Sequence, residues 1–209
     1  MSLEKRYVRI ARIKRVFDLV LSVPLFILAL PFMAIIYLLV WIFMGKPVIF
    51  KQVRMGWLGK PFRLYKFRTM TEEREEDGKL LPDYMRITTL GKFLRSLRLD
   101  ELPQLINVIK GDLSLIGPRP VPPDIFEKKP YFQGKRTYLR PGITGLAQIE
   151  VFNREPWDVK VKYDLKYIEN WNILMDIKIV FITPIKVIKE FYIAMRENGN
   201  TGPSEQTRK

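Results

Sequence analysis

With 209 residues the chain has room for one domain and an appendage, and its formal net charge of +14 and pI near 9.9 call for an anionic partner: nucleic acid, a membrane surface or a phosphorylated substrate. Histidine and cysteine are both absent. That excludes the commonest acid–base group, thiol nucleophiles, disulfides and thiolate metal sites, and it suits a cytoplasmic setting.

Residues 1–15 read as a short basic amphipathic helix, with Tyr7, Val8, Ile10, Ile13 and Val16 on its apolar side, suited to lying on anionic headgroups. Leu19 to Met44 then carries no charge. As a helix this run measures about 39 Å, enough to cross a hydrocarbon core of about 30 Å. Both flanks are basic, with Lys5, Arg6, Arg9, Arg12, Lys14 and Arg15 before it and Lys46, Lys51, Arg54, Lys60, Arg63, Lys66 and Arg68 after it. Positive residues favour the cytoplasmic side, so a plain single-pass anchor, the competing reading, puts one cluster on the wrong side. Pro24 and Pro31 fall inside the run, and each removes a helix hydrogen bond. The expectation is a re-entrant helix-break-helix, broken near Pro31, with both ends cytoplasmic. A cleaved signal peptide fits poorly, because the run is too long and no small-residue cleavage site follows.

Val48–Val53 and Phe62–Phe67 read as short strands joined by a turn on Gly56 and Gly59, an antiparallel hairpin. Its basic residues face either solvent, or lipid headgroups or a nucleotide. Thr71–Lys79 is an acidic, polar loop, better read as solvated than as a metal site. Apolar spacing at Ile87, Leu90, Phe93, Leu94 and Leu97 predicts a helix, and a second runs from Glu101 to Lys110 and stops at Gly111. Pro118, Pro120, Pro122 and Pro123 enforce an extended stretch. Ile173–Met195 is apolar with Lys178, Lys186 and Lys189 on one stripe, interrupted by Pro184; it fits helices lying in the membrane interface, with packing on the core as the alternative. The chain therefore divides into a basic N-terminus and membrane helix (1–45), a cytoplasmic domain with interfacial helices (46–195) and a polar, disordered tail (196–209). The fold class is α+β, a small, mostly helical globular domain with one short hairpin.

The chemistry centres on Asp100-Glu101, in a run flanked by Arg95, Arg98, Arg119 and Arg140. Asp100 precedes a helix whose first turn tolerates Pro103, so a capping role is the plain structural explanation. A helix N-terminus and nearby arginines also keep a carboxylate ionised, as a nucleophile requires, and the same N-terminus attracts phosphate. Glu101, turned about 100° from its neighbour on a helix, either complements the helix dipole or binds Mg²⁺, which is ordinarily held by one or two carboxylates plus substrate phosphates. Gly117-Pro-Arg-Pro120 and Arg140-Pro-Gly-Ile-Thr-Gly145 each present an arginine between rigid neighbours, suited to bidentate phosphate binding.

These motifs carry a resemblance. Lys66-Phe-Arg-Thr-Met70, Arg95-Ser-Leu-Arg-Leu-Asp-Glu-Leu-Pro-Gln104, Lys110-Gly-Asp-Leu-Ser-Leu-Ile-Gly-Pro-Arg-Pro120, Arg140-Pro-Gly-Ile-Thr-Gly145, Tyr163-Asp-Leu-Lys-Tyr-Ile-Glu-Asn170 and Asp176-Ile-Lys178 occur in order over residues 12–190. Together they resemble the small monotopic polyprenyl-phosphate sugar-1-phosphate transferases of bacteria, which begin glycan assembly at the inner membrane. The resemblance implies a UDP-sugar donor, a polyprenyl (undecaprenyl) phosphate acceptor and a two-step transfer through a phosphosugar on Asp100. It implies Glu101 as ligand of a Mg²⁺ cofactor, Arg119 as a phosphate binder, and Lys66 and Arg95 near the mouth of the site. Lys14 and Asp176 match a pair that ties the membrane helix to the globular domain. The family usually has Ser-Pro at the helix break, where this chain has Leu30-Pro31. Gln148, Asn153 and Arg154 are placed to approach the sugar, whose identity, like the oligomeric state, stays open. Two other classes compete: a non-catalytic protein binding anionic lipid, and a nucleic-acid binder. No base-reading motif supports the latter, so no nucleic-acid partner is expected.

Overall fold

A computed structural model describes residues 3–151 and 155–200. The first element, α1 (Leu3–Met44), joins the expected surface helix and membrane run into one. Its buried residues, Tyr7, Ile10, Ala11, Lys14, Asp18, Ser22, Ala29, Ile36 and Val40, recur at three-, four- and seven-residue spacings and form one narrow stripe. The remaining surface carries Val20, Leu25, Ile27, Leu28, Phe32, Ile35, Ile42 and Phe43, all exposed. An uncovered apolar face this broad belongs in lipid rather than water.

The expected break at Pro31 does not interrupt the helix. Both prolines sit inside α1 and are exposed. Each removes one backbone hydrogen bond, which permits a bend without ending the helix. Both halves of α1 rest on the same globular body. In the N-terminal half, Lys14 Nζ donates to Asp176 Oδ2 at 2.8 Å and to the Tyr167 hydroxyl at 2.8 Å, and Asp18 Oδ1 accepts from Ser114 Oγ and the Leu115 amide. In the C-terminal half, Ile36 and Val40 pack with Val48, Phe67 and Leu94, and the Arg68 guanidinium donates to the carbonyls of Met44, Gly45 and Lys46. That arginine satisfies carbonyls left over at the helix C-terminus.

The hairpin forms as expected. Strand β1 (Ile49–Met55) pairs antiparallel with β2 (Pro61–Phe67), placing Ile49 opposite Phe67, Phe50 opposite Lys66 and Arg54 opposite Phe62. Helices α2 (Asp83–Arg86) and α3 (Thr89–Ser96) follow, the latter capped by Thr88, whose hydroxyl accepts from the Gly91 amide. After a 3-10 turn at Leu99–Glu101 comes α4 (Gln104–Lys110), ended by Gly111 in the left-handed region at φ 91°. A second sheet was not legible in the sequence: β3 (Ser114–Ile116) and β4 (Gly142–Thr144) pair in parallel. Short helices α5 (Pro123–Lys128) and α6 (Leu146–Glu150) lead to α7 (Trp157–Asn170) and α8 (Ile173–Asn200). Arg196 to Asn200 lie in α8, so the helix enters the segment expected to be disordered, and it runs through Pro184 without interruption.

The main core gathers Leu105, Val108, Leu113, Ile116, Leu139, Tyr167, Ile168 and Ile179 between α4, both strands of the parallel pair, α7 and α8. Asp176, fully buried, accepts from Lys14, from the Tyr167 hydroxyl at 2.6 Å and from Trp171 Nε1 at 3.0 Å. The expected tie between the membrane helix and the domain is thus a satisfied buried network.

Candidate active site

Leu97 closes α3, and Arg98 then takes a left-handed backbone (φ 56°, ψ 21°), a conformation that costs a non-glycine residue about 1–3 kcal/mol. That reversal turns the next two residues inward, where Asp100 and Glu101 are 6% and 8% exposed. Asp100 lies inside the 3-10 turn rather than at the N-cap of α4, a position held by Pro103. The capping explanation of Asp100 is therefore corrected.

The two carboxylates open on a cavity of about 1130 Å³ whose walls include Lys66, Arg68, Arg95, Arg98, Arg119 and Arg54. Lys66 Nζ lies 2.6 Å from Glu101 Oε1 and 4.0 Å from Asp100 Oδ2. Arg119 Nη2 stands 3.8 Å from the same glutamate oxygen. Arg95 lines the wall with its Nε donating to Thr69 Oγ1 at 2.8 Å, and Arg98 Nη2 meets Glu190 Oε2 of α8 at 3.4 Å. Asp100, Glu101, Arg119, Arg95 and Lys66 are thus brought together as expected.

Electrostatics separates the carboxyls. Burial pushes Asp100 above its ordinary value, and the adjacent Glu101 charge pushes the same way against the pull of Lys66, Arg95 and Arg98. Burial also works against ionised Glu101, but Lys66, Arg119 and Arg98 together outweigh it and hold that carboxyl below its usual range. Glu101 is the more acidic of the two and is held by cations, and Asp100 is the more basic; both line the same cavity.

Arg140 lies elsewhere. Its Nε donates to the Gly111 carbonyl at 2.7 Å, and its guanidinium stacks 4.3 Å over the Trp57 ring. Arg15 donates to the Val108 and Ile109 carbonyls, so two arginines close the C-terminus of α4. The rest of the Arg140-Pro-Gly motif clasps the loop that carries Arg119. The Gly117 amide donates to Thr144 O, the Gly142 amide to Pro118 O and the Ser114 amide to Pro141 O, at 2.8–2.9 Å. A Cβ on Gly142 would lie 2.1 Å from the Gly117 nitrogen, so only glycine permits this approach. Buried Arg136, paired with Asp164 at 2.8 Å, donates to the Arg119 carbonyl at 2.6 Å. The Arg140–Gly145 motif and the Arg136–Asp164 pair hold Arg119 in place and are not part of the cavity wall themselves.

Arg54 was one of the hairpin's basic residues, whose partner the sequence left open. It lines the cavity on β1 with Phe50 and Gln52, two residues apart on one strand face. Gln52 Oε1 accepts from its Nη2 at 2.6 Å and Nε at 3.0 Å. Burial, then the neighbouring Arg119 charge, lowers the Arg54 pKa to about 10. A desolvated arginine with a second arginine beside it suits an anion. Thr71, Glu72 and Arg74 of the acidic loop also line the cavity. Gln148 sits in α6 and is not part of that wall; Asn153 and Arg154 lie outside the described residues.

No cluster of three or more carboxylates capable of holding a metal occurs among the described residues. Two buried carboxylates beside a cluster of arginines fit the way Mg²⁺ is usually held, by one or two carboxylates together with substrate phosphates, and Glu101 would be the protein ligand.

The bacterial sugar transferase family profile matches residues 9–190. The chain is 47% identical over 178 residues to the sugar transferase EpsL of Bacillus subtilis (strain 168), covering 84% of this chain and 87% of that protein. It is 42% identical over 184 residues to the UDP-glucose:undecaprenyl-phosphate glucose-1-phosphate transferase of Klebsiella pneumoniae, covering 83% of this chain and 39% of the relative. A further relative, the undecaprenyl-phosphate galactose phosphotransferase of Salmonella typhimurium, is 40% identical over 200 residues, 85% of this chain and 40% of its own. The chain thus spans most of one relative and about two fifths of the other two. Its buried Asp-Glu pair, its arginine-lined cavity and its lipid-facing helix are the parts of one assembly, and the chain belongs to the bacterial sugar transferase family.

Proposed function

We propose that the protein transfers a sugar 1-phosphate from a UDP-sugar to polyprenyl phosphate, at the cytoplasmic face of the bacterial inner membrane. The observation that carries this reading is the Asp100–Glu101 pair, with pKa values pushed apart, buried beside Lys66, Arg119 and Arg54. Relatives named for the same reaction with glucose and galactose support it.

In the first step an Asp100 oxygen attacks the sugar-bearing phosphorus, and the bond from that phosphorus to the bridging oxygen breaks. UMP leaves, and the phosphosugar is held as an acyl phosphate. In the second step a phosphate oxygen of the lipid attacks the same phosphorus and the acyl bond breaks, restoring Asp100 and giving polyprenyl-diphosphate sugar. Splitting one displacement into two is covalent catalysis by a carboxylate. Arg119 and Arg54 bind the donor diphosphate, and Lys66 neutralises charge beside the attacking oxygen. Mg²⁺ bound at Glu101 supplies further neutralisation of the phosphoryl oxygens. The raised basicity of Asp100 makes it the better nucleophile of the pair.

The same reading makes α1 re-entrant. Both its halves are fastened to one globular body, and both flanks are basic, so the helix bends at its internal prolines and enters and leaves on the cytoplasmic side. The first membrane step of polysaccharide or glycoconjugate synthesis is the place of such a reaction. Incubating the solubilised protein with Mg²⁺, undecaprenyl phosphate and a panel of UDP-sugars tests it. UMP release from at least one sugar, lost in Asp100→Asn, is the expected result; no release from any sugar contradicts it and returns the chain to lipid binding alone.

A further inference from the structure

Beside α1 lies a second concavity, distinct in chemistry from the charged cavity. It holds about 450 Å³ and is walled by Leu30, Met33, Ala34, Tyr37 and Leu38 of α1 and by Ile49 and Phe67 of the hairpin. Positions 30, 33, 34, 37 and 38 share one helical face, giving a groove about 12 Å long. Apart from the Tyr37 hydroxyl, its wall side chains are hydrocarbon, thioether or aromatic. It opens along the helix whose outer face is apolar and uncovered, so its mouth lies in lipid.

The position of the groove says what fills it. Phe67 lines both the groove and the catalytic cavity. The preceding residue, Lys66, holds Glu101 at 2.6 Å and stands 4.0 Å from Asp100. Across the hairpin, Ile49 faces Phe67 and lines the groove, whereas Phe50 faces Lys66 and lines the cavity. The open end of the hairpin therefore divides a hydrocarbon slot from a phosphate-binding chamber by the thickness of one side chain. A ligand with an apolar chain joined to a phosphate can occupy both at once, its chain against α1 and its phosphate reaching round Phe67 toward Lys66 and Arg68.

We infer that this groove binds the phosphate-proximal part of the acceptor's isoprenoid chain and thereby aims its phosphate at the acyl phosphate on Asp100. The inference rests on the transferase reading of the site. It assigns the groove to the second step alone: the UDP-sugar has no hydrocarbon chain and makes no use of it.

Ala34 is exposed and stands in the groove wall, so Ala34→Trp fills the slot without disturbing the core. Leu28→Trp, on the outward lipid face (70% exposed), is the control. Two rates are compared in detergent: the single-turnover burst of UMP without acceptor, and kcat/KM for undecaprenyl phosphate. In Ala34→Trp the ratio of acceptor kcat/KM to burst rate falls tenfold or more; in Leu28→Trp it stays within twofold of the parent. A photoreactive acceptor analogue carrying its probe on the first isoprene units then labels the segment 30–38 of the parent and not of Ala34→Trp. An unchanged ratio in Ala34→Trp, an equal fall in both variants, or labelling confined to other segments overturns the groove assignment while leaving the transferase reading intact. Absence of any UMP burst in the parent overturns both.

Discussion

In the proposed reaction Asp100 works as a carboxylate, and burial together with Glu101 raises its pKa. Activity is lost as pH falls through that raised value, so the acidic limb of kcat/KM for the UDP-sugar lies above the ordinary aspartate value of about 3.9. Lys66 pulls in the opposite direction, so Lys66→Met moves the limb further up; a limb at or below the ordinary value in both proteins contradicts this arrangement. Arg54 shares the cavity wall with Arg119, whose charge helps lower its pKa. A charge-assisted hydrogen bond contributes about 1.5–3 kcal/mol, so Arg54→Ala lowers kcat/KM for the UDP-sugar on the order of 10- to 100-fold, with unaltered thermal unfolding. The sequence does not single out Arg54, because one arginine in a short basic strand reads equally as a solvated position. Only the hairpin register, which sets Phe50, Gln52 and Arg54 on one face, distinguishes it. Arg140 misled for the opposite reason. An arginine before Pro-Gly suits phosphate, yet this one closes α4 and stacks on Trp57, contacts from a part of the chain that no local pattern announces.

At the scale of elements, local patterns were legible and distant pairings were not. The hairpin, α3 and the stop at Gly111 follow from alternation, helical spacing and a left-handed glycine. The three-residue strands β3 and β4 pair across more than twenty intervening residues, and nothing in such short segments encodes a partner. The prolines of α1 and α8 were read as breaks, but both helices continue through them, since one proline removes a single hydrogen bond and bends a helix more readily than it ends it. The Lys14–Asp176 pair is the element-scale joint, at 3% and 0% side-chain exposure. Breaking a buried pair by removing one partner costs roughly 3–5 kcal/mol. Lys14→Met, which also strips a donor from Tyr167, therefore lowers the unfolding temperature markedly in detergent; a variant as stable as the parent removes the joint from the structure's support.

For the whole molecule, the prediction concerns where the two ends of the apolar run lie. The chain has no cysteine, so single cysteines at Arg9 and Lys46, both exposed, report without background. Impermeant maleimide labels both from the cytoplasmic side of inverted vesicles and neither from the outside of intact cells; labelling from opposite sides contradicts the re-entrant helix. That geometry places a charged cavity and a lipid-facing helix on one body, the combination a soluble nucleotide sugar and a membrane-bound acceptor both need. In the proposed reaction the bond that joins the two half-reactions is the acyl phosphate at Asp100. Intact-mass measurement of protein quenched in acid after exposure to UDP-sugar and Mg²⁺, with no acceptor present, tests it most directly. A mass increase equal to one sugar phosphate, located on Asp100 by peptide fragmentation, absent in Asp100→Asn and discharged by added undecaprenyl phosphate, is the predicted result; turnover with no such adduct, or an Asp100→Asn protein as fast as the parent, contradicts it.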